Sequence, residues 1–381
     1  MNFIFGEFKT QVFLNSDIPN IQEIAHNIGI DPAVVSLNAL LIADENTAFI
    51  AAKICGGLEL PCCVLKSGEE NKNWQSVQTI LEAAKNANLG RYGVFIAVGG
   101  GIIGDMAGFA ASIYMRGCRF VLVATTLLCM VDASIGGKTG FDLFGIKNLT
   151  GSFYPAENVY LPLAALDSLP EKEWKNGFAE LIKTAILAGD EFLKDIEELT
   201  TNQHEHSLKF KSACSCNSCG SCGSWLKNSI KRAVLFKGSI VTDDLRESEN
   251  GRRKLLNLGH TFGHALESVT GFTGVSHGEA VAWGIVRACE LGAALGITPR
   301  KKARKITDLI KSFGYEYVSP HPLANSAEVL LCAMQNDKKK KRGKLAFIVP
   351  DEKSACSVFL ETESEYNILS NILNGDINEL S

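Results

Sequence analysis

Short apolar runs alternate with amphipathic segments through the first half of the chain. Ala39–Ala43 and Cys62–Leu65 are apolar and end in polar residues, and Gly93–Val98 is a third run of this kind. Asn73–Asn86 instead has the period of an amphipathic helix. Buried strands that alternate with helices indicate a mainly parallel sheet covered on both faces. The predicted fold class is therefore α/β, with a Rossmann-like parallel sheet in the N-terminal domain.

The second half has a different pattern, because helical periodicity continues nearly to the end. Glu171–Leu187 and Glu279–Leu295 are predicted helices, with another that runs through Lys237. A last strand is predicted in the run LAFIVP, followed by a capping helix. We interpret Pro162–Pro170 as a hinge, so residues 1–169 are predicted to form the α/β domain and residues 170–381 a mostly α-helical domain.

Composition argues against several classes of protein. A chain of 381 residues is long enough for two domains that each bury a core. The net charge of −4 argues against a nucleic-acid-binding protein, which usually has a strongly basic face. We identify no apolar run long enough for a membrane span, and the N-terminus lacks the basic region of a signal peptide. These features are ordinary for a soluble enzyme.

Twelve cysteines are present, but their positions do not suggest a disulfide framework. Eight lie in apolar segments, where cysteine behaves as a small core residue, and this usage indicates a reducing cytoplasm. These eight are Cys55, Cys62, Cys63, Cys118, Cys129, Cys289, Cys332 and Cys356.

The other cysteines lie in an insertion at about residues 201–226, as Cys214, Cys216, Cys219 and Cys222. Thiolates at this spacing could converge on zinc or on an iron–sulfur cluster. The near-duplication SCGSCG is typical of a low-complexity loop instead. We interpret the segment as a surface insertion.

A glycine-rich turn connects the run Gly93–Val98 to a helical segment. The turn, Gly99–Asp105, has the GxGxxG spacing. Glycines let the backbone approach a phosphate, and free amides at the start of a helix point at the anion. The acidic residue that usually follows about 20 positions later, to hold a ribose, is missing. Asp44, at the end of an earlier strand, is the predicted substitute.

A glycine-rich, poorly periodic segment follows Thr126. It carries Asp132, Lys138, Lys147 and Asn148, and we predict a loop that brings these polar groups into a cleft. A solvated surface loop has the same composition, so both interpretations stay open.

Three of the seven histidines lie close together, at His260, His264 and His277. The first two are four residues apart in an apolar-periodic segment, so they share one helix face. Because imidazole is a preferred zinc ligand, the spacing predicts a metal site, with hydrogen-bonded helix histidines as the alternative. Glu180, on one helix face with Lys183, lies in an apolar stretch, where a buried carboxylate must be paired or bound to metal.

Six segments, taken in order, resemble the 3-dehydroquinate synthases of the sugar phosphate cyclase family. They are GGGIIGDMAGFAASIYMRG, TTLLCMVDASIGGKTG, GIKNLTGSFY, GFAELIKTAIL, LLNLGHTFGHALE and SHGEAVAWG. The resemblance implies a shikimate-pathway lyase, serving chorismate and aromatic amino acid biosynthesis, that converts 3-deoxy-D-arabino-heptulosonate 7-phosphate to 3-dehydroquinate and phosphate. It also implies an N-terminal NAD-binding domain, a helical metal-binding domain, a homodimer and an active site in the cleft.

The implied cofactors are NAD and a divalent metal, usually zinc, with cobalt as another option. The metal acts as a Lewis acid on a substrate hydroxyl while NAD takes a hydride. Phosphate then leaves, NADH returns the hydride, and an aldol step closes the carbocycle. NAD is therefore recycled and must stay bound.

Matching the motifs residue by residue gives the site that the resemblance implies. The metal ligands would be Glu180, His260 and His277, which leaves His264 for proton transfer and substrate contact. The NAD site would comprise Asp44, Asn46, Ser67, Gly68, Glu69, Lys72, Gly100, Gly101, Ile102, Ile103, Gly104, Asp105, Thr125, Thr126, Lys138, Lys147, Ala165, Leu166, Asp167 and Ser168. The catalytic and substrate-binding set would comprise Asp132, Lys138, Asn148, Lys183, Lys237, Arg253, Asn257, His264, Lys339 or its neighbour Lys338, and, at the phosphate, the partner subunit's Arg116.

Two departures from the family pattern concern the region between Glu180 and Arg253. The cysteine-rich insertion lies there, and two extra residues within DDLRESENG precede Arg253. The second departure leaves the placement of Lys237 relative to Arg253 open. Neither removes a predicted metal ligand.

Two alternatives remain. A related cyclase acting on sedoheptulose 7-phosphate or glucose 6-phosphate, or a glycerol-dehydrogenase-like oxidoreductase, would have a substrate without a carboxylate. Such an enzyme would not need the cationic pair Lys237 and Arg253, which suits a carboxylate through charge-assisted hydrogen bonds. A catalytically inactive NAD-binding scaffold would not need an intact metal-ligand set.

Overall fold

The computed structural model describes residues 1–32, 35, 38–201, 220–248, 251–271, 274–318, 320–338 and 345–375. The chain folds as two compact units. The first comprises Met1–Glu173 and Asn217–Arg246, and the second comprises Trp174–Cys216 and Glu247–Ser381. None of the helices in the described part combines the length and apolar character that crossing a bilayer demands.

The first unit is built on a seven-stranded sheet. The strands of this unit are β1 (Asn2–Phe5), β2 (Phe8–Asn15), β3 (Ala39–Asp44), β4 (Cys62–Leu65), β5 (Val94–Gly99), β6 (Arg119–Ala124), β7 (Lys138–Leu143), β8 (Ile146–Phe153) and β9 (Asn158–Pro162). Strands β7 and β8 form a separate hairpin, and the other seven form the sheet. The order across the sheet is β1–β2–β9–β6–β5–β3–β4, and every pair except β1 with β2 is parallel. The α/β prediction is therefore confirmed.

Helices of this unit connect the strands, as parallel pairing requires. They are α1 (Ile21–Asn27), α2 (Ala48–Cys55), α3 (Trp74–Asn86) and α4 (Gly101–Ile113). The predicted helix at Asn73–Asn86 is confirmed, with Asn73 as its N-cap, because the Asn73 side chain accepts a hydrogen bond from the amide of Ser76 at 3.0 Å.

The glycine-rich segment after Thr126 is not the loop that the sequence predicts. Strands β7 and β8 form an antiparallel hairpin, preceded by a short π-helix at Cys129–Ala133. Gly140 and Gly151 face each other across the hairpin, and a Cβ on Gly151 would lie 2.1 Å from the carbonyl oxygen of Thr139. These glycines permit close strand pairing, which composition alone does not distinguish from a loop.

The second unit is mostly helical. Along the chain the remaining elements are α5 (Glu171–Ala188), α6 (Asp190–Thr201), α7 (Gly220–Asp243), α8 (His260–Val269), α9 (His277–Ala294), α10 (Arg300–Ser312), α11 (Ala327–Lys338), β10 (Ala346–Pro350), β11 (Ala355–Phe359) and α12 (Glu363–Asn374). Of these, α7 belongs to the first unit, although the sequence-based division at residue 169 counts it with the second; that division stays a prediction.

The run LAFIVP is a strand, but it is not the last one. Strand β11 follows β10 and pairs with it antiparallel, from Ala346 opposite Phe359 to Pro350 opposite Ala355. This pairing provides hydrogen bonds for backbone N–H and C=O groups that would have no partner in a single strand. The capping helix predicted at the end of the chain is confirmed as α12.

Helices α8 and α9 pack backbone to backbone at glycines. A Cβ on Gly284 would lie 2.1 Å from the carbonyl oxygen of Gly259 and 3.0 Å from the amide nitrogen of Gly263. Each helix begins with a histidine, and the ring centroids of His260 and His277 are 5.8 Å apart. The close helix approach therefore supports the position of both imidazoles.

We predict that Gly284→Ala destabilises the helical unit, because its methyl group would clash with backbone atoms that cannot rotate away. Overpacking of this kind costs roughly 3 kcal/mol, which lowers the unfolding temperature of a unit this large by about 6–12 °C. Thermal unfolding followed by circular dichroism measures the change. Gly90→Ala is the matched control, since a Cβ there meets nothing within 4 Å. Equal unfolding temperatures for the two variants would contradict the packing argument.

Candidate functional site

Polar residues of the first unit gather at the carboxyl ends of the parallel strands. Strand β4 lies on one side of β3, whereas β5 lies on the other side and leads on to β6. The chain order therefore reverses between β3 and β5, and α/β proteins bind ligands outside the strand ends at such a point. Asp44 ends β3 and Gly99 ends β5. The Asp44 carboxylate accepts hydrogen bonds from the Thr47 hydroxyl at 2.9 Å and from the backbone amide of Asn46 at 3.0 Å.

The glycine-rich turn has the geometry of a phosphate cradle. Gly100 is the N-cap of α4, and a Cβ on it would lie 3.0 Å from the Thr126 side chain. A Cβ on Gly104 would lie 3.3 Å from Leu122 on strand β6, so this glycine lets the helix pack closely on the sheet. The role of Gly104 matches that of the third glycine in dinucleotide-binding turns. The residues present therefore fit a dinucleotide pyrophosphate at the start of α4.

Lys72 connects the turn to the hairpin. Its ammonium lies 2.7 Å from the Asp105 carboxylate and donates to the Asn148 side-chain oxygen at 2.6 Å. Burial raises the pKa of Asp105, and Lys72 opposes that effect. Burial also acts to lower the pKa of Lys72, but the attraction of Asp105, Glu69 and Asp142 outweighs it and raises that pKa. The network thus holds three predicted site residues together as a charged cluster.

Four further predicted site residues form two ion pairs in this unit. The Lys237 ammonium on α7 lies 2.9 Å from the Asp132 carboxylate and donates to its backbone carbonyl at 2.7 Å. Lys147 lies 3.4 Å from Glu69. The remaining predicted residues of the unit lie at strand ends or on the hairpin: Ser67 and Gly68 after β4, Thr125 and Thr126 after β6, Ala165, Leu166, Asp167 and Ser168 in a 3₁₀ helix after β9, Lys138 at the start of β7, and exposed Arg116 after α4.

The second unit contains a candidate metal centre around Glu180. The Glu180 side chain is fully buried in α5. Its Oε1 atom lies 3.6 Å from Nε2 of His260 and 3.4 Å from Nε2 of His277. One donor atom from each residue lies within 4.8 Å of the other two. Two imidazoles with one carboxylate are a donor set of catalytic zinc sites, which keep a further position open, so these residues fit a divalent metal.

The protonation of the two histidines differs. Burial lowers the pKa of His260 to about 3, with help from the Lys183 ammonium, so this ring is neutral at pH 7. Burial also disfavours the charged form of His277, but hydrogen bonds to Glu180 and Glu267 outweigh it and raise its pKa to about 10. The positive charge of His277 balances buried carboxylates, and a bound cation would take over that role because a metal ligand must release its proton.

Other predicted residues of this unit surround the centre or lie near it in sequence. The Lys183 ammonium pairs with Glu180. His264 is exposed, with its ring centroid 5.1 Å from that of His260, and is not a member of the donor group. Arg253 is buried and Asn257 is half-buried, both in the 3₁₀ helix Arg252–Asn257.

Sequence reasoning missed two carboxylates. Glu247 accepts a hydrogen bond from the side-chain amide of Asn257 at 2.7 Å. The Oε1 atom of Glu267 lies 3.4 Å from Nδ1 of His277. Neither residue stands out from its neighbours in the sequence, because Glu247 is in a charged segment and Glu267 follows an apolar helical run. The helical spacing of seven residues between His260 and Glu267 is the one signal that could have placed Glu267 on the histidine face.

Some predictions cannot be placed. Lys339, Cys214, Cys216 and Cys219 lie outside the described residues, and the side chains of Lys338 and Cys222 do so as well.

The fold and the two candidate sites define a class of α/β enzyme with a dinucleotide-type sheet and a helical metal-binding unit. Solved structures share this fold. A 2-deoxy-scyllo-inosose synthase, complexed with carbaglucose-6-phosphate, NAD+ and Co2+, matches with a TM-score of 0.77 and 21% identity over 98% of this chain and 99% of that chain. The 2-epi-5-epi-valiolone synthase of Streptomyces hygroscopicus, with NAD+ and Zn2+ bound, also has a TM-score of 0.77, with 23% identity and the same coverage.

Comparison of sequences is more specific. The family model for the 3-dehydroquinate synthase N-terminal region matches residues 62–176, and the model for its C-terminal region matches residues 177–340. A 3-dehydroquinate synthase of Rippkaea orientalis is 35% identical over 85% of this chain and 83% of that protein. One of Legionella pneumophila is 38% identical over 82% of this chain and 80% of that protein. The chain belongs to the 3-dehydroquinate synthase family, and it is an enzyme.

Proposed function

We propose that the chain converts 3-deoxy-D-arabino-heptulosonate 7-phosphate to 3-dehydroquinate and phosphate, using NAD and a divalent metal, with zinc as the first candidate. The grouping of Glu180, His260 and His277 carries this proposal, because it is a catalytic-type donor set, with Glu180 buried and both histidines half-buried, within the residues that match the family. Bound NAD would supply reversible hydride transfer, and the metal would supply Lewis acidity at the hydroxyl that is oxidised.

Residues of the first unit bind the dinucleotide and the phosphate in this proposal. Amides at the start of α4 hold the pyrophosphate, and Asp44 accepts hydrogen bonds from a ribose. Lys138 and Asn148 lie on the hairpin and donate to the substrate phosphate, with Lys338 or Lys339 as a further contact. Asp105 and Lys147 complete the dinucleotide side.

Residues of the second unit hold and protonate the sugar acid. Arg253 provides a planar fork for the substrate carboxylate, and Lys237 is the second positive charge assigned to that group. His264 is exposed beside the metal-ligand face, so its imidazole can exchange a proton with the substrate and with water. Asn257 and Lys183 contact the substrate hydroxyls.

A related cyclase activity is the second candidate. The fold similarity to 2-deoxy-scyllo-inosose synthase favours it, but Lys237 and Arg253 would have no carboxylate to bind in such a substrate. We therefore expect a carboxylate-free sugar phosphate to be a poor substrate.

The proposal predicts phosphate release over many cycles per NAD molecule. The zinc-loaded protein is mixed with 3-deoxy-D-arabino-heptulosonate 7-phosphate, with NAD far below the substrate concentration, and free phosphate is measured. We expect many turnovers per NAD, arrest by a chelator and recovery on adding zinc. Release limited to one phosphate per NAD, or none, would contradict a recycled cofactor. Sedoheptulose 7-phosphate and glucose 6-phosphate serve as substrates that lack the carboxylate.

We further propose a cytoplasmic homodimer in which Arg116 acts across the interface. Arg116 is exposed, and the neighbouring side chains of Ile113 and Met115 are exposed apolar groups at 42% and 50%. Coverage by a second subunit would remove that apolar surface from water. The eight cysteines whose side chains are described are free thiols, which supports a reducing compartment.

Mixing two inactive variants tests Arg116. In a heterodimer of Arg116→Ala with His260→Ala, one site has an intact His260 and receives an intact arginine from the partner. After subunit exchange, a twofold dimer would regain about a quarter of full activity. His260→Ala mixed with Lys237→Ala is the control, since both residues act within their own subunit and no activity should return. Absence of rescue in the first mixture would contradict the shared site.

A further inference from the structure

The two histidines of the metal centre present the same ring nitrogen to Glu180. Nε2 of His260 and Nε2 of His277 lie 3.6 and 3.4 Å from Oε1 of Glu180. The other nitrogen, Nδ1, is directed elsewhere in each case. In His260 it lies 3.2 Å from the backbone carbonyl oxygen of Leu258. In His277 it lies 3.4 Å from Oε1 of Glu267.

Glu267 is a buried carboxylate that the proposed reaction does not use. It lies on α8, seven residues after His260, and its side chain is 7% exposed. Burying a carboxylate is unfavourable unless hydrogen bonds or positive charge compensate it. The Nδ1–H group of His277 is such a donor, and the close packing of α8 on α9 keeps the two groups within hydrogen-bonding distance.

We propose that Glu267 is the positioning residue for His277 as a metal ligand, an inference that rests on the proposed metal centre. By accepting a hydrogen bond from Nδ1–H, the carboxylate selects the tautomer in which Nε2 keeps its lone pair. The negative charge also makes the imidazole a stronger donor. Carboxylate–histidine–metal chains in other proteins act in this way.

The two ligands are therefore supported unequally. A neutral backbone carbonyl orients His260, and no side-chain substitution removes it. A charged side chain orients His277, so its support depends on one residue. We infer that the metal affinity of this enzyme is adjusted through Glu267 without a change to any ligand.

Zinc affinity of the intact chain tests the inference. Glu267→Gln keeps the shape and an acceptor oxygen but loses the charge, whereas Glu267→Ala removes both. We expect Glu267→Ala to weaken zinc binding about 10- to 100-fold, as loss of an outer hydrogen-bond partner does, with Glu267→Gln intermediate. Competition with a chromophoric chelator measures the dissociation constant. Ser268→Ala, at the next and exposed position of α8, is the matched control and should bind zinc normally.

Two further measurements separate the possible failures. The first is the zinc content of His260→Ala. Zinc that this variant no longer binds must have been bound at the proposed metal centre. If the variant binds as much zinc as the unmodified protein, the proposed metal centre is wrong. If His260→Ala loses zinc but both Glu267 variants bind within about twofold of the unmodified protein, only the positioning role is wrong. The unfolding temperature of the metal-free variants shows whether Glu267 acts on stability instead. A lower temperature with unchanged zinc affinity would also overturn the inference.

Discussion

One buried charge imposes the main constraint on the helical unit. Glu180 has no exposed side-chain surface, and an uncompensated carboxylate in such a place would cost several kcal/mol. The helices are arranged so that this does not occur. Lys183 approaches from the same helix, and His260 and His277 approach from the first residues of α8 and α9. A site in which imidazoles surround one buried carboxylate already has the donor groups of a cation-binding site.

Compact helix packing makes that arrangement possible. The glycines between α8 and α9 let two backbones touch, which brings two helix starts to the same carboxylate. In the first unit a comparable constraint acts on the sheet. The reversal of strand order between β3 and β5 places Asp44 and the start of α4 at one edge. Of the predicted site residues, Asp44, His260 and His277 lie where the main chain begins or ends a regular element.

Sequence predicts the parts of this structure that depend on local pattern. The buried strands, the helix after the glycine-rich turn and the shared face of His260 and His264 all follow from periodicity over a few residues. The β7–β8 hairpin does not, because its glycines have loop composition and its pairing is a tertiary contact. Local pattern also fails to predict the contacts of Lys72 with Asp105 and Asn148, because these hydrogen bonds span 33 and 76 residues of sequence. Recognising Glu267 requires the position of His277 on another helix.

We propose that Glu180, His260 and His277 bind the catalytic metal, and X-ray absorption at the zinc edge tests this assignment. For protein loaded with one zinc per chain, we predict a first shell of nitrogen and oxygen at about 2.0–2.1 Å, with the outer scattering of two imidazole rings. His277→Ala should remove one ring from that pattern. A sulfur shell at about 2.3 Å would assign the zinc to cysteine thiolates instead and contradict the account.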